Sequence, residues 1–120
     1  MKPRYFDLAK KIASKSPSKY KLGCVIVKKS RVIAVGWNNM TKSHPRCKTE
    51  GNYLHAEIHA LLGMEPSLTN NSVAYVYRED RNGKISKSRP CAVCMGALRI
   101  ANVKAVCYTD TIQGFVEEKI

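Results

Sequence analysis

The sequence predicts a one-domain α/β protein, a three-layer α-β-α sandwich in which helices cover both faces of a mixed five-stranded sheet. Helical and strand patterns follow one another in the order α-β-β-α-β-α-β-β, which is typical of a sheet covered by helices. The chain has 120 residues, of which 44% are hydrophobic. A chain of this size can bury roughly two thirds of its unfolded surface. It contains no repeat, linker or low-complexity segment, so we expect residues 1–120 to form a single domain.

The first half of the chain predicts a helix followed by a β-hairpin. Apolar residues spaced i, i+3, i+4, i+7, i+8 indicate one buried helical face; they are Tyr5, Leu8, Ala9, Ile12 and Ala13. A proline-containing segment at 16–18 ends this helix. Two segments rich in Val and Ile, 22–27 and 31–37, lie on either side of a short polar turn and predict the hairpin. The polar segment 38–52 predicts a loop.

The second half predicts two helices and three strands. Residues 54–62 indicate a helix that Gly63 ends. Pro90 is expected to open the last helix, because proline is tolerated in a first turn. Between these helices, the basic segment 78–89 predicts a loop with a turn at its Asn-Gly pair. The strands are predicted at 73–77, 103–108 and, as a short fifth strand, 115–120.

Two short motifs lie at the predicted starts of the second and third helices: His55-Ala56-Glu57 and Pro90-Cys91-Ala92-Val93-Cys94. One histidine and two cysteines would leave a tetrahedral zinc ion one open position for water. Cysteines three residues apart share a helix face, and the positive end of the helix dipole stabilises their thiolates. Glu57 lies about 200° round an ideal helix from His55. We therefore expect it to flank the ion and move protons, as metal-assisted hydrolysis requires.

Other interpretations of these residues stay open on the sequence alone. The Cys-x-x-Cys pair could be redox-active, or half of a structural zinc site completed by His44, Cys47 or His59. His59 pairs with His55 at helical spacing, but alanine follows His55 where a zincin helix has glutamate. We expect His59 to be a core residue or to support the site. Whether His44 and Cys47 bind a second metal is left open.

With Val32 to Asn38 and the strand at 103–108, these motifs make the chain resemble the cytidine deaminase superfamily, the zinc-dependent nucleobase deaminases. The resemblance extends over about residues 22–109. It implies a cytidine-deaminase-like fold and one catalytic Zn²⁺ held by His55, Cys91 and Cys94, with Glu57 as the proton shuttle. It also implies that Asn38 hydrogen-bonds the substrate's sugar and that the backbone N–H of Ala56 contacts the base.

The substrate is less well determined. The histidine-first motif resembles deoxycytidylate, tRNA adenosine, guanine and polynucleotide cytidine deaminases. Gly36-Trp37-Asn38 and the run 94–97 favour the tRNA adenosine and guanine types. Arg89 stands where those types often have glutamate, and the chain ends at Ile120 without their helical extension. We therefore expect a compact deoxycytidylate deaminase, viral or bacterial, that converts dCMP to dUMP and ammonia. The alternatives are a deaminase of cytidine or adenosine in single-stranded DNA, RNA or tRNA, and a non-catalytic, zinc-stabilised nucleic-acid-binding module.

The charge balance favours phosphorylated partners. Lys and Arg number 21 against 9 Asp and Glu, a net charge of +12. Basic residues concentrate in three segments expected to surround the site, at 15–21, 42–48 and 78–89. The candidate phosphate contacts are Arg46, Lys48 and Arg89. A phosphorylated nucleotide is the expected substrate, and the charge leaves nucleic acid open as a partner.

The remaining expectations concern compartment and assembly. Five cysteines, an odd number, two of them in apolar stretches, favour a reducing, cytoplasmic location over a disulfide framework. The sequence has neither a signal-peptide pattern nor an apolar run long enough to span a membrane. The family resemblance implies a homo-oligomer.

Overall fold

Five strands form one sheet in the computed structural model, which describes residues 2–39 and 54–120. They are β1 (Lys21–Lys28), β2 (Arg31–Trp37), β3 (Val73–Glu79), β4 (Ala105–Asp110) and β5 (Gly114–Lys119). Their order across the sheet is β2-β1-β3-β4-β5. The strands β3 and β4 run parallel, and the other neighbouring pairs are antiparallel. The predicted mixed, five-stranded sheet is therefore confirmed.

Helices lie on both faces of this sheet. They are α1 (Pro3–Ala13), α2 (Ala56–Leu61), α3 (Pro66–Thr69) and α4 (Ala92–Ile100). The helix α1 buries the predicted Tyr5, Ala9, Ile12 and Ala13 against one face, together with Phe6. The helices α2 and α4 pack on the opposite face. No helix in the described part of the chain is long and apolar enough to cross a membrane.

Alternation along the strands divides the core into two layers. In β3, Ala74 and Val76 belong to the cluster beneath α2 and α4. Tyr75 and Tyr77 belong to the cluster beneath α1. Successive side chains of a strand point to opposite faces, so the next residue of β3, Arg78, lies on the same face as α2 and α4.

Several element boundaries differ from those predicted. The helix α4 begins at Ala92, with Cys91 as its N-cap, so Pro90 lies before the helix instead of opening it. The strand β3 continues to Glu79 because its pairing with β1 runs on to Lys21. After α4 the chain turns through Asn102, at φ 60°, which delays the start of β4 to Ala105. The four-residue helix α3 is too short to show a helical period, and the sequence did not predict it.

The helix α2 approaches the sheet closely at Gly36. A Cβ atom on Gly36 would collide with the backbone of Ala56 and Ala60. Close contact is possible because glycine has no side chain at this position. This contact sets the height of α2 above β2, and with it the positions of His55 and Glu57 at the start of the helix.

Candidate active site

Three metal-binding side chains meet where α2 and α4 begin. His55 is the N-cap of α2, Cys91 is the N-cap of α4, and Cys94 lies in the first turn of α4. Their ligand atoms all lie within 4.8 Å of one another. The fold therefore brings the three predicted ligands together from the starts of two separate helices, in positions that could hold a metal ion.

The spacing of these atoms fits a tetrahedral zinc ion. His55 Nδ1 lies 3.4 Å from Cys94 Sγ and 3.8 Å from Cys91 Sγ. Zinc bonds of about 2.3 Å to sulfur and about 2.0 Å to nitrogen, at a tetrahedral angle, would separate nitrogen from sulfur by about 3.5 Å. Among the described residues, no fourth metal-binding side chain joins this cluster. The set matches the three-ligand pattern of catalytic zinc sites.

Glu57 lies beside the cluster and is buried, with 2% of its surface exposed. Burial raises the pKa of this carboxyl to about 7, although a backbone N–H and the Cys94 thiol both act to lower it. Its Oε1 atom is buried and accepts no hydrogen bond within the described residues. A buried polar atom without a partner is costly. The arrangement therefore suits an acceptor atom that is kept for water or substrate.

Burial also raises the pKa of the Cys94 thiol, and the nearby Glu57 carboxylate raises it further. A thiol in this environment stays protonated at neutral pH unless a cation is close. A divalent metal ion provides that charge and deprotonates the thiols that coordinate it. The chemistry of the donor set thus agrees with its geometry.

The side-chain amide of Asn38 hydrogen-bonds to the backbone around the start of β1 through both its oxygen and its nitrogen. Its Oδ1 accepts the backbone N–H of Leu22 at 2.9 Å, and its Nδ2 donates to the carbonyl of Tyr20 at 2.8 Å. One N–H and one lone pair of the amide remain for a ligand. The backbone N–H of Ala56 lies in the first turn of α2, where a helix supplies no acceptor of its own.

His59 is not one of the three side chains that could hold a metal ion. Its Nδ1 lies 3.0 Å from both the backbone nitrogen and the carbonyl oxygen of Trp37, and its ring packs edge-on against Trp37, with centroids 4.5 Å apart. It therefore attaches α2 to β2, in agreement with the prediction of a supporting residue. The candidate ligands His44 and Cys47 and the candidate phosphate contacts Arg46 and Lys48 lie outside the described residues.

Ser88 fixes the segment that leads into Cys91. Its hydroxyl donates to the Val76 carbonyl at 2.7 Å and accepts the Thr109 backbone N–H at 2.7 Å. The next residue, Arg89, forms a two-pronged ion pair with Glu118, at 3.0 Å and 2.9 Å. No local pattern in the sequence marks Ser88. Its partners lie 12 and 21 positions away, beyond the range of local patterns.

A cavity of about 190 Å³ opens beside the cluster. The predicted site residues that line it are Asn38, His55, Glu57, Arg89 and Cys91. Of the residues that the structure describes, five more line it: Tyr20, Leu22, Arg78, Lys87 and Ser88. Pockets for drug-sized ligands have about 300–1,000 Å³. This smaller cavity suits a single ring, with the rest of a ligand at its mouth.

Comparisons with known proteins agree with this geometry. The sequence model of the cytidine and deoxycytidylate deaminase zinc-binding region matches residues 2–110. The structure resembles cytidine deaminase from Burkholderia pseudomallei, with a TM-score of 0.69 and 19% identity over 99% of this chain and 93% of that one. It also resembles dCMP deaminase from the cyanophage S-TIM5, with a TM-score of 0.59 and 24% identity over 95% of this chain and 89% of that one.

RibD from Acinetobacter baumannii is a third structural relative. Its TM-score is 0.54 at 25% identity, over 86% of this chain. The match covers 26% of the RibD chain, so this chain spans about a quarter of that relative. No curated protein sequence gave a significant match. The fold of this chain is thus shared by nearly the whole length of two small deaminases and by about a quarter of a larger protein.

Proposed function

Because this chain belongs to the cytidine and deoxycytidylate deaminase family, and is therefore a zinc-dependent aminohydrolase, we propose that it deaminates cytosine in a phosphorylated deoxynucleoside. The proposed substrate is dCMP, and the products are dUMP and ammonia. One observation carries the choice of a phosphorylated substrate. One cavity is lined by two of the three candidate metal ligands, by the buried Glu57 and by the basic side chains Arg78, Lys87 and Arg89. The likeness to a dCMP deaminase of similar length supports it.

His55, Cys91 and Cys94 would hold the zinc ion. When bound, zinc supplies Lewis-acid chemistry that lowers the pKa of a water molecule. In the proposed reaction, the oxygen of water forms a bond to C4 of cytosine and the bond from C4 to the exocyclic amine breaks. Glu57 accepts a proton from the water and delivers it to N3; it then takes the remaining proton of the new C4 hydroxyl and transfers it to the departing amine, so that the C4 carbonyl forms and ammonia leaves.

The cavity wall would orient the base and sugar during these steps. The backbone N–H of Ala56 is suited to a carbonyl oxygen of the base, because the first turn of a helix offers unpaired N–H groups. Asn38 is proposed to contact the sugar with its remaining N–H, since its two bonds to the start of β1 hold the amide plane fixed. Fixed donors reduce the entropy lost in reaching the reactive geometry.

The test is ammonia release by the zinc-loaded protein across a substrate panel. The panel contains dCMP, dCTP, cytidine, deoxycytidine, guanine and oligonucleotides that carry one C or one A. We expect kcat/KM to be highest for dCMP, and dUMP to appear in equal amount to ammonia. A Glu57→Gln preparation shows whether a contaminating deaminase contributes. Higher kcat/KM for an oligonucleotide or for guanine than for dCMP would contradict the proposal.

A polynucleotide deaminase is the second candidate, and one observation favours it. Tyr20, at the cavity, has two arginines near its ring, with the guanidinium carbons of Arg78 and Arg81 at 5.5 Å and 6.0 Å from the ring centroid. Aromatic rings beside basic groups are typical of single-strand binding sites. The salt dependence of binding distinguishes the two candidates. The affinity for a nucleic-acid strand that contacts several basic groups falls steeply as the salt concentration rises. A mononucleotide with one phosphate depends on salt much less.

Homo-oligomer formation is also proposed. Several large apolar side chains are exposed, among them Ile100 at 77%, Ile112 at 92% and Phe115 at 44%. Exposed apolar residues are compatible with subunit contacts. Light scattering on a size-exclusion column measures the mass directly, and a mass of 13.4 kDa would contradict the proposal.

A further inference from the structure

Arg78 reaches the cavity because β3 continues past its predicted end. It pairs with Leu22 of β1 in the antiparallel register. By the alternation of the strand, it follows Ala74 and Val76 on the face beneath α2 and α4. At Arg78 this face of the strand borders the cavity instead of the core. The guanidinium of Arg78 therefore forms part of the cavity wall.

The guanidinium of Arg78 has an unused donor. Its Nε is buried and has no hydrogen-bond partner within the described residues. A buried donor without an acceptor costs free energy and calls for an explanation. The ring of Tyr20 packs beside the group, 5.5 Å from its central carbon. The Tyr20 carbonyl is in turn bonded by Asn38, so the wall behind Arg78 is fixed.

Arg89 provides a contrast within the same cavity. Its Nε and Nη2 groups both donate to the Glu118 carboxylate, and the pKa of Glu118 is lowered by that pairing. The positive charge of Arg89 is therefore largely compensated. Arg78 has no carboxylate within ion-pair distance in the described part of the chain. Of the two arginines, Arg78 is the one without an anionic partner among residues 2–39 and 54–120.

We propose that Arg78 binds the phosphate on the 5′ side of the nucleoside being deaminated, and so selects phosphorylated substrates over free nucleosides. The inference rests on the proposed function, because it assumes that a nucleoside occupies this cavity. A guanidinium matches two phosphate oxygens with parallel N–H donors. That phosphate belongs either to a mononucleotide or to a strand, and the same contact serves both.

The experiment compares kcat/KM for dCMP and for deoxycytidine in wild type, Arg78→Gln, Arg78→Lys and Arg31→Gln. Losing a hydrogen-bonded charge contact costs about 10- to 100-fold. We expect Arg78→Gln to lose that factor with dCMP and less than about threefold with deoxycytidine. Arg78→Lys keeps the positive charge but lacks the two parallel N–H donors of a guanidinium. Its kcat/KM for dCMP should therefore lie between those of wild type and Arg78→Gln. The control Arg31→Gln removes an exposed arginine at the start of β2 that does not line the cavity, and should change neither value by more than about twofold.

Binding measurements keep this test independent of turnover. Calorimetry compares dUMP with deoxyuridine on the same zinc-loaded variants. Arg78→Gln should weaken dUMP alone, by about 10- to 100-fold. If the protein deaminates neither dCMP nor deoxycytidine but Arg78 still determines dUMP binding, the proposed function fails and the phosphate site stands. If Arg78→Gln weakens dUMP and deoxyuridine equally, or neither of them, the inference is overturned.

A second arm distinguishes the two sources of phosphate. It uses an oligodeoxynucleotide with one cytidine, and the same strand with a neutral methylphosphonate on the 5′ side of that cytidine. If the strand is the source, Arg78→Gln reduces binding of the normal strand and leaves the methylphosphonate strand unchanged. If the mononucleotide is the source, the substitution acts on dUMP alone. A melting curve for each variant verifies that it folds.

Discussion

Glu57 combines burial with proximity to a metal cluster. Only 2% of its surface is exposed, and burial raises its pKa to about 7. A carboxyl that titrates near neutral pH both accepts and returns protons efficiently. The same burial removes water that would otherwise solvate the carboxylate. We therefore assign to this one side chain the proton transfers of the proposed reaction.

Glu57→Gln should lower kcat by about 10²–10⁴-fold, because glutamine has the same shape but cannot exchange a proton. Zinc content should stay near one ion per chain, since Glu57 lies outside the cluster of three ligand atoms. Ammonia release and metal analysis by emission spectroscopy measure the two effects. Glu65→Gln, at an exposed position before α3, is the matched control. Loss of zinc together with activity would point to a structural role for Glu57.

Tyr77 gives a prediction at alkaline pH. Burial, and then the neighbouring Glu79, raise its pKa to about 12, whereas an unfolded tyrosine titrates at about 10. The unfolded chain therefore releases the proton first. Stability from this group is complete below about pH 10 and is lost as the pH rises towards 12. Urea denaturation between about pH 9 and 11 should show a steeper loss of unfolding free energy in wild type than in Tyr77→Phe. Equal slopes would contradict the prediction.

At the scale of elements, the contact of α2 with β2 determines where half of the site lies. His55 and Glu57 belong to the first turn of a six-residue helix, and a helix this short is not stable alone. Its position comes from packing: Gly36 lets the backbones approach, and His59 bonds to Trp37. The helix is therefore held to the sheet at two points.

Gly36→Ala should destabilise the protein by about 1–3 kcal/mol, the usual cost of forcing an extra carbon into a packed contact. The comparison is Gly96→Ala in α4, where an added Cβ would meet no atom within 4 Å. Alanine is favoured over glycine inside a helix by about 1 kcal/mol, so that variant should be as stable as wild type or more stable. Thermal and urea unfolding measure both. Similar effects of the two substitutions would contradict this account.

The elements show how far the sequence determines the site. The metal ligands could be predicted because His55, Cys91 and Cys94 are rare residue types next to helix starts. The order of the elements was predictable from hydrophobic periodicity. Arg78 was assigned to a loop, because a charged residue interrupts the apolar pattern even though pairing with β1 continues. Ser88 was missed because its partners come from two other strands. Local patterns carry no information about such contacts.

At the scale of the whole molecule, the three candidate metal ligands bring together two parts of the chain that are distant in sequence. His55 is separated from Cys91 by 36 positions and from Cys94 by 39. The intervening segment includes α3 and β3. A metal ion that binds the folded arrangement and not the unfolded chain adds its binding free energy to stability. Zinc is therefore expected to stabilise the fold as well as to serve the reaction.

Removing zinc with a chelator should lower the melting temperature. Free zinc at 1,000 times Kd contributes about 4 kcal/mol, which corresponds to roughly 10–20 °C for a domain of this size. Cys94→Ser should melt at the lower temperature with or without chelator. Cys107→Ser removes a buried cysteine of the α1 layer and should keep the response to chelator. Calorimetry measures the shifts, and an unchanged wild-type melting temperature would contradict the prediction.

The connection between β3 and α4 has a consequence for how this protein can vary. It leaves the sheet after Glu79 and is attached again from Ile85 and Ser86 onwards, where the Ser86 N–H donates to the Arg78 carbonyl at 2.9 Å. Its tip is closed on itself, since the Asp80 N–H donates to the Lys84 carbonyl at 2.9 Å and the Asp80 side chain accepts the Asn82 N–H at 2.8 Å. Additions at Asn82 and Gly83 would therefore extend into solvent without displacing Cys91. Exposed tips of this kind tolerate inserted peptides. An enzyme lineage could lengthen this tip, and an experimenter could attach a fluorophore there, while the metal ligands keep their places.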